Sequence, residues 1–240
     1  MKNLIKRTRS KLIKTLLSLG SGKECPICGW TGYCFLPFGV PEKHRFDAKC
    51  PDCGSLERHR LSFLVAKESL QLGSLDTLHV APETCIGPWL QSESRTYVSI
   101  DLYARAMRKM DLRRLEFEDE SFSLIWCSNV LEHIAEDNLA IEEMHRVCRP
   151  DGLVFIQVPV WRQRTYENSE VRSDKDRLEH FYQKDHVRLY GLDIVDRFEK
   201  HGFVARTARA QDFGPRAVLN HSLSFISTNE VFIFKKGENA

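Results

Sequence analysis

The chain has 240 residues, enough for one sizeable α/β domain or a small module followed by a larger one, and too few for an assembly of several large cores. Hydrophobic residues at 42% and charged residues at 28% exclude a globally disordered chain. The formal charge of +2 hides a split: Met1–Lys23 holds seven basic residues and no acid, so subtraction leaves −5 for residues 24–240. An acidic body of that kind argues against a general nucleic-acid-binding surface.

Residues 2–18 set Leu4, Ile5, Leu12, Ile13, Leu16 and Leu17 among Lys2, Lys6, Arg7, Arg9, Lys11 and Lys14. The spacing predicts a basic amphipathic helix over residues 1–20, stopped by Gly20-Ser21-Gly22. Three readings stand: peripheral contact with anionic lipid or an acidic partner, a short helix covering the domain with its charges in water, or an organellar transit peptide. Lys11 and Lys14 interrupt any signal-peptide core, and no apolar run approaches the roughly 18 residues of a membrane span. A reducing, cytoplasmic setting is expected, with the membrane surface as the alternative.

Of eight cysteines, five fall between Cys25 and Cys53. Cys25-Pro-Ile-Cys28-Gly29 and Cys50-Pro-Asp-Cys53-Gly54 are paired knuckles, in which two thiolates converge and glycine allows the tight turn beneath them. Cys25, Cys28, Cys50 and Cys53 therefore predict a tetrahedral, structural zinc site in a ribbon over residues 24–54. Cys34 is expected to be a small buried residue. Lys49, Arg58 and Arg60 stand near enough in sequence to moderate the −2 charge of a four-thiolate zinc cluster.

A connecting helix is expected over 55–73, with a larger α/β domain over 74–240. From residue 75, short apolar runs alternate with helical patterns, as in a parallel sheet with crossover helices. Strands are expected at 76–81, 97–101, 122–128, 152–159, 203–209 and 230–236, and helices at 103–109, 137–148 and 190–201. In such sheets ligands bind beyond the carboxyl ends of strands. This directs attention to His79–Glu83, to Asp101, placed to accept from a ribose diol or to cap a helix, and to the polar stretch after residue 127.

The stretches DESFSLIWCSNVLEHI and EEMHRVCRPDGLVFIQVP, in that order, resemble the class I S-adenosylmethionine-dependent methyltransferases, in particular the small-molecule branch called type 11. The paired CPxCG and the later EHFYQKDHVRLYG look like a bacterial subgroup with a zinc ribbon ahead of that domain. The resemblance implies a doubly wound, Rossmann-like sheet of seven strands, the last antiparallel, and S-adenosylmethionine as cofactor. It places Asp101 and Leu102 at the cofactor ribose, Asp111 and Leu112 at the adenine, and Ser128 and Asn129 at the methionine moiety. The first motif of that family has an acid followed by Gly-x-Gly-x-Gly. Here the register gives His79, Ala81, Glu83 and Cys85, with Glu83 a candidate partner for the cofactor's ammonium or sulfonium.

The acceptor side is expected from His133, as general base or as a histidine that orders its loop, and from the basic, aromatic segment Trp161–Tyr190, read as a loop after the fifth strand that either covers the acceptor or lies solvated. Within it His186 and Arg188 would meet an anionic or sugar-phosphate acceptor. The function implied is methyl transfer to a small molecule, such as a glycan or lipid-linked saccharide. The alternative is a non-catalytic, zinc-binding interaction scaffold with a degenerate methyltransferase domain.

Overall fold

The computed structural model describes residues 13–39, 44–103, 106–224, 227 and 229–237. The chain falls into two compact units, one formed by Met1–Glu68 with Ala210–Phe225 and the other by Ser69–Arg209 with Ile226–Ala240. Among the described residues no helix is long and apolar enough to cross a membrane.

In the smaller unit residues 13–17 are helical, while the rest of the expected basic helix lies outside the described residues. Two hairpins carry the knuckles: β1 (Lys23–Glu24) pairs with β2 (Thr31–Gly32), and β3 (Leu36–Phe38) with β4 (Arg45–Lys49), both antiparallel. Each knuckle closes through its glycine, with Gly29 N donating to Cys25 O at 2.9 Å and Gly54 N to Cys50 O at 3.1 Å. Both glycines are left-handed, at φ 72° and 74°, which a side chain would strain. The expected connecting helix is α1 (Glu57–Ser69). Its Arg60 is fully buried over the Phe35 ring and donates to the carbonyls of Ala48, Ser55, His221 and Ser222. One guanidinium thus ties the two flanks of the second knuckle to the end of the helix Gly214–His221, a segment expected in the larger domain.

The larger unit is built on a seven-stranded sheet. Its strands are β5 (Asp76–Val80), β6 (Thr96–Asp101), β7 (Arg108–Lys109), β8 (Phe122–Ser128), β9 (Cys148–Gln157), β13 (Phe203–Arg209) and β14 (Glu230–Lys236). They lie in the order β13-β14-β9-β8-β5-β6-β7. The five from β5 to β9 are mutually parallel, and β14 runs antiparallel to both β9 and β13. Every residue of β5 and β8 is buried, the polar Asp76, Thr77, His79, Ser123 and Ser128 included. Trp126 stacks on Phe155 at 4.1 Å and Phe198 on Phe234 at 3.9 Å within the core. The helices α2 (Gly87–Glu93), α3 (Asp137–Val147) and, later in the chain, α5 (Ile194–Glu199) complete the α/β alternation. This is the doubly wound Rossmann-like arrangement expected, with its last strand antiparallel.

Three local expectations fail for physical reasons. Of the helix expected at 103–109, the described residues 103 and 106–109 are not helical: the Asp101 carboxylate takes the Tyr103 amide, Ser99 Oγ takes the Met107 amide, and residues 108–109 form β7. Side-chain acceptors there satisfy backbone donors that a helix would have claimed. Trp161–Tyr190 is no loop. It forms β10 (Val160–Arg162), β11 (Tyr166–Glu167), α4 (Asp174–Phe181) and β12 (Arg188–Gly191), with a sheet order β10-β12-β11 and a small core of Val171, Phe181 and Leu189. Because β12 occupies residues 188–191, the helix expected from 190 starts only at Ile194.

Candidate functional site

The four knuckle cysteines converge. Cys25 Sγ lies 3.6 Å from Cys53 Sγ and Cys28 Sγ 3.7 Å from Cys50 Sγ, and all four ligand atoms fall within 4.8 Å of one another. A tetrahedral zinc with bonds of about 2.3 Å holds its sulfurs roughly 3.8 Å apart, close to both of these separations. Four thiols this close cannot all ionise without a cation among them. Hydrogen bonds from Cys50 and Cys53 pull the Cys25 thiol down, the same contacts push Cys50 up, and burial pushes Cys28 up to about 12. The buried Arg60 feels both Cys25 and Cys50. Cys34, expected to be buried, is exposed and takes no part in the cluster.

In the larger unit a cavity of about 650 Å³ opens at the carboxyl ends of β5, β6 and β8. The chain leaves β5 and β8 there through the same backbone conformation. Ala81 has φ 50° and Asn129 φ 54°, the left-handed region that suits glycine, and each amide is held, Ala81 N by Ile100 O at 2.8 Å and Asn129 N by Gln157 O at 2.7 Å. Both residues line the cavity. The glycine expected of the first motif is absent at residue 81, yet the turn it would make is present.

Asp101, Leu102, Asp111 and Leu112 also line the cavity, together with Tyr103 and Met110. Asp101 ends β6 with its carboxylate on the Tyr103 amide. Asp111 is gripped side-on by Arg113, whose Nη2 lies 2.7 Å from Oδ2 and Nε 3.1 Å from Oδ1, and this guanidinium holds the carboxyl below its usual range. His79, Glu83 and Ser128 are not among the lining residues. His79 is fully buried, with Nδ1 3.0 Å from the Tyr97 hydroxyl and Nε2 2.6 Å from Glu83 Oε2. Glu83 therefore serves His79, and the pair braces the loop from behind. Ser128 Oγ is 3.4 Å from both Asn129 Oδ1 and Gln157 Oε1.

Of the acceptor-side candidates, His133 lines the cavity and His186 stands directly behind it, with ring centroids 4.7 Å apart and planes at 81°. Burial, and then the neighbouring His133, bring the His186 pKa down to about 4, so this imidazole is neutral at ordinary pH. Arg188 is placed otherwise than expected. It is buried, and its guanidinium is consumed by the protein: Nη1 donates to Leu131 O and Ile134 O, Nη2 to Ala135 O, and Nε to Glu167, with Asp137 Oδ2 3.1 Å away. It fastens the segment that carries His133 and is not among the residues that line the cavity. Two guanidinium side chains line the cavity: Arg113, paired with Asp111 and Glu136, and Arg177 of α4, whose Nε is buried with no hydrogen-bond partner. Sequence reasoning missed Arg177, because among the seven bases of that segment nothing but the α4 register singles it out.

With this geometry in view, comparison with known proteins is informative. Residues 83–156 match a family described as methyltransferase domain. No curated protein matches the chain. Among solved structures, an S-adenosylmethionine-dependent methyltransferase from Mesorhizobium loti aligns at TM-score 0.50 and 12% identity, covering 71% of this chain and 95% of that one. The PH0226 protein of Pyrococcus horikoshii aligns at 0.50 and 16%, covering 73% and 87%. A chain from the complex of the Haloferax volcanii Trm112 methyltransferase activator with a candidate methyltransferase aligns at 0.52 and 12%, covering 76% and 92%. Such identities speak for the fold, and the family match covers the segment from the loop after β5 into β9. The chain thus has a doubly wound Rossmann-like fold in which residues 83–156 match a methyltransferase domain, with four converging cysteines in its smaller unit.

Proposed function

We propose that the cavity binds S-adenosylmethionine and passes its methyl group to a small-molecule acceptor, while the four cysteines hold a structural zinc ion. The observation that carries this reading is the conjunction, on one cavity, of left-handed Ala81 and Asn129 with the carboxylates of Asp101 and Asp111. Ligands of doubly wound sheets sit where the strand order reverses, here between β5 and its neighbours β6 and β8.

The cofactor, when bound, supplies a methyl on a positively charged sulfur. The rest falls to this chain. Asp101 accepts hydrogen bonds from the ribose hydroxyls. Asp111, kept ionised by Arg113, accepts from the adenine amino group, and Met110 and Leu112 flank the ring. The Ala81 turn brings backbone close to the cofactor as a glycine turn would. Arg177 meets an anionic group, either the cofactor's own carboxylate or a charged acceptor. His133 Nδ1 is 3.1 Å from Asp185 O, an acceptor only, so the proton sits on Nδ1 and Nε2 can take a proton from the acceptor. Arg188 acts as a positioning residue by fixing the carbonyls on both sides of His133. Orientation of donor and acceptor then supplies most of the acceleration.

Glycans and lipid-linked saccharides remain the acceptor class this reading favours, with residues 2–18 as a peripheral membrane contact. A crystal structure with S-adenosylhomocysteine tests the donor side. The ribose should lie on Asp101 and the adenine beside Asp111; a ligand seated elsewhere, or a cavity that stays empty at saturating ligand, would overturn the assignment.

A further inference from the structure

The corner of the cavity formed by His133 and His186 has a property that acid–base catalysis does not require. Glu132, His133 and His186 each offer a ligand atom, and these three atoms all lie within 4.8 Å of one another. They come from two places, the short 3₁₀ turn Leu131–His133 after β8 and the residue two positions before β12. The two places are tied together, since Val187 N donates to Glu132 O at 2.9 Å.

Each imidazole has one nitrogen committed to backbone. His133 Nδ1 donates to Asp185 O, which leaves Nε2 with a lone pair. His186 makes a backbone hydrogen bond at Phe181, and its Nδ1 is buried with no partner in a residue only 3% exposed. No hydrogen bond joins the two rings. Glu132 is 2% exposed, and its Oε1 accepts from Asn129 Nδ2 at 3.1 Å, which fixes the carboxylate's orientation. Imidazoles with one N–H held by a carbonyl, beside an oriented carboxylate, are how proteins prepare ligands for first-row divalent ions. A buried nitrogen with nothing to bind is costly to keep, and a cation at this point would satisfy it.

We propose that Glu132, His133 and His186 bind a divalent first-row metal ion, distinct from the cysteine cluster, at the edge of the cavity. Three protein ligands leave coordination positions open, and an oxygen of the methyl acceptor fills one of them. This second half rests on the methyltransferase reading above. The ion then replaces His133 Nε2 as the group that meets the acceptor, and the acceptor class becomes one carrying a hydroxyl or other oxygen donor.

The test is titration of Co²⁺ into the zinc-loaded protein, followed by calorimetry and visible absorption. One further equivalent should bind without the intense thiolate-to-cobalt absorption that exchange into the ribbon would produce. His133→Ala, a substitution at a residue that lines the cavity, should weaken binding at least about 10-fold, and Glu132→Gln and His186→Ala likewise. Acetohydroxamate, as an oxygen-donor probe, should shift the cobalt spectrum. Failure to bind cobalt beyond the ribbon, or binding unchanged in His133→Ala, overturns the metal site. An unshifted spectrum with acetohydroxamate overturns the open position. If cobalt binds as stated while S-adenosylhomocysteine does not bind at all, the methyltransferase reading fails and the metal site stands.

Discussion

The ribbon knuckles and the cavity loops solve the same backbone problem with different residues. Gly29 and Gly54 turn beneath the cysteine pairs at φ 72° and 74°, whereas Ala81 and Asn129 turn at the carboxyl ends of β5 and β8 at 50° and 54°. In the ribbon the left-handed turn is carried by the residue type that adopts it freely. In the larger unit a side chain is held there by its surroundings: Ile100 and Gln157 take the amides, and buried His79 with its partner Glu83 braces the loop. A left-handed non-glycine residue costs roughly 1–2 kcal/mol, so such a turn persists only where neighbouring contacts over-determine it. The lesson is that absence of a glycine motif does not mean absence of the conformation that motif produces.

The largest effect that separates the two regions should come from metal removal. Chelation is expected to unfold the ribbon, because binding energy of about 10–16 kcal/mol in such sites is folding energy, while the sheet unit keeps its structure. Limited proteolysis in chelator should show new cuts within residues 24–54 and a protected fragment from the sheet; equal loss of both would break the contrast. Cys50→Ser should reproduce the pattern.

Next in size is Arg188→Ala. Removing a buried guanidinium that serves Asp137, Glu167 and three carbonyls should destabilise the sheet unit by about 3–5 kcal/mol. Denaturant unfolding would measure it, and a change below about 1 kcal/mol would mean that the carbonyls find other donors. Smaller again is the direct exchange of turn chemistry. Gly29→Ala meets open space but a left-handed φ, so it should cost about 1 kcal/mol, whereas Ala81→Gly should be neutral or stabilising by up to about 1 kcal/mol. If Ala81→Gly destabilises instead, the methyl is making a contact that outweighs its strain.

The smallest effect concerns pH. Asp76 opens β5, bound by Arg95 through two bonds and by Thr96, and Arg95 first among these brings its pKa down to about 2. A carboxylate with a depressed native pKa stabilises the fold above its unfolded value and loses that contribution as pH falls towards 2. Because Arg95 is half exposed, the contribution is about 1 kcal/mol, and Asp76→Asn should flatten the stability profile between pH 4 and 2 by that amount. An unchanged profile would assign the acid sensitivity to other carboxylates.

What could be read from sequence follows the same divide. The cysteine spacing located the four convergent sulfurs outright, because two thiolates and a glycine are a local arrangement. Strand β8 was legible as a mainly apolar run, and Asp101 and Asn129 as polar residues at strand ends, whereas Asp111 stood out only through the family resemblance. Arg188 was misread because a guanidinium buried on three carbonyls and one destined for a ligand have the same sequence signature. Arg177 was missed because only the α4 register, itself read as loop, turns it to the cavity. The pairing of Glu132 with His186, 54 positions on, depends on the β12 register and has no local signal.

The central claim is that a loop without glycines still forms a cofactor site, and titration of the zinc-loaded protein with S-adenosylhomocysteine tests it most directly. The account predicts one saturable site, weakened about 10- to 100-fold by Asp101→Ala through loss of charge-assisted hydrogen bonds to the ribose. No binding by folded, zinc-loaded protein, or binding indifferent to Asp101, would contradict it.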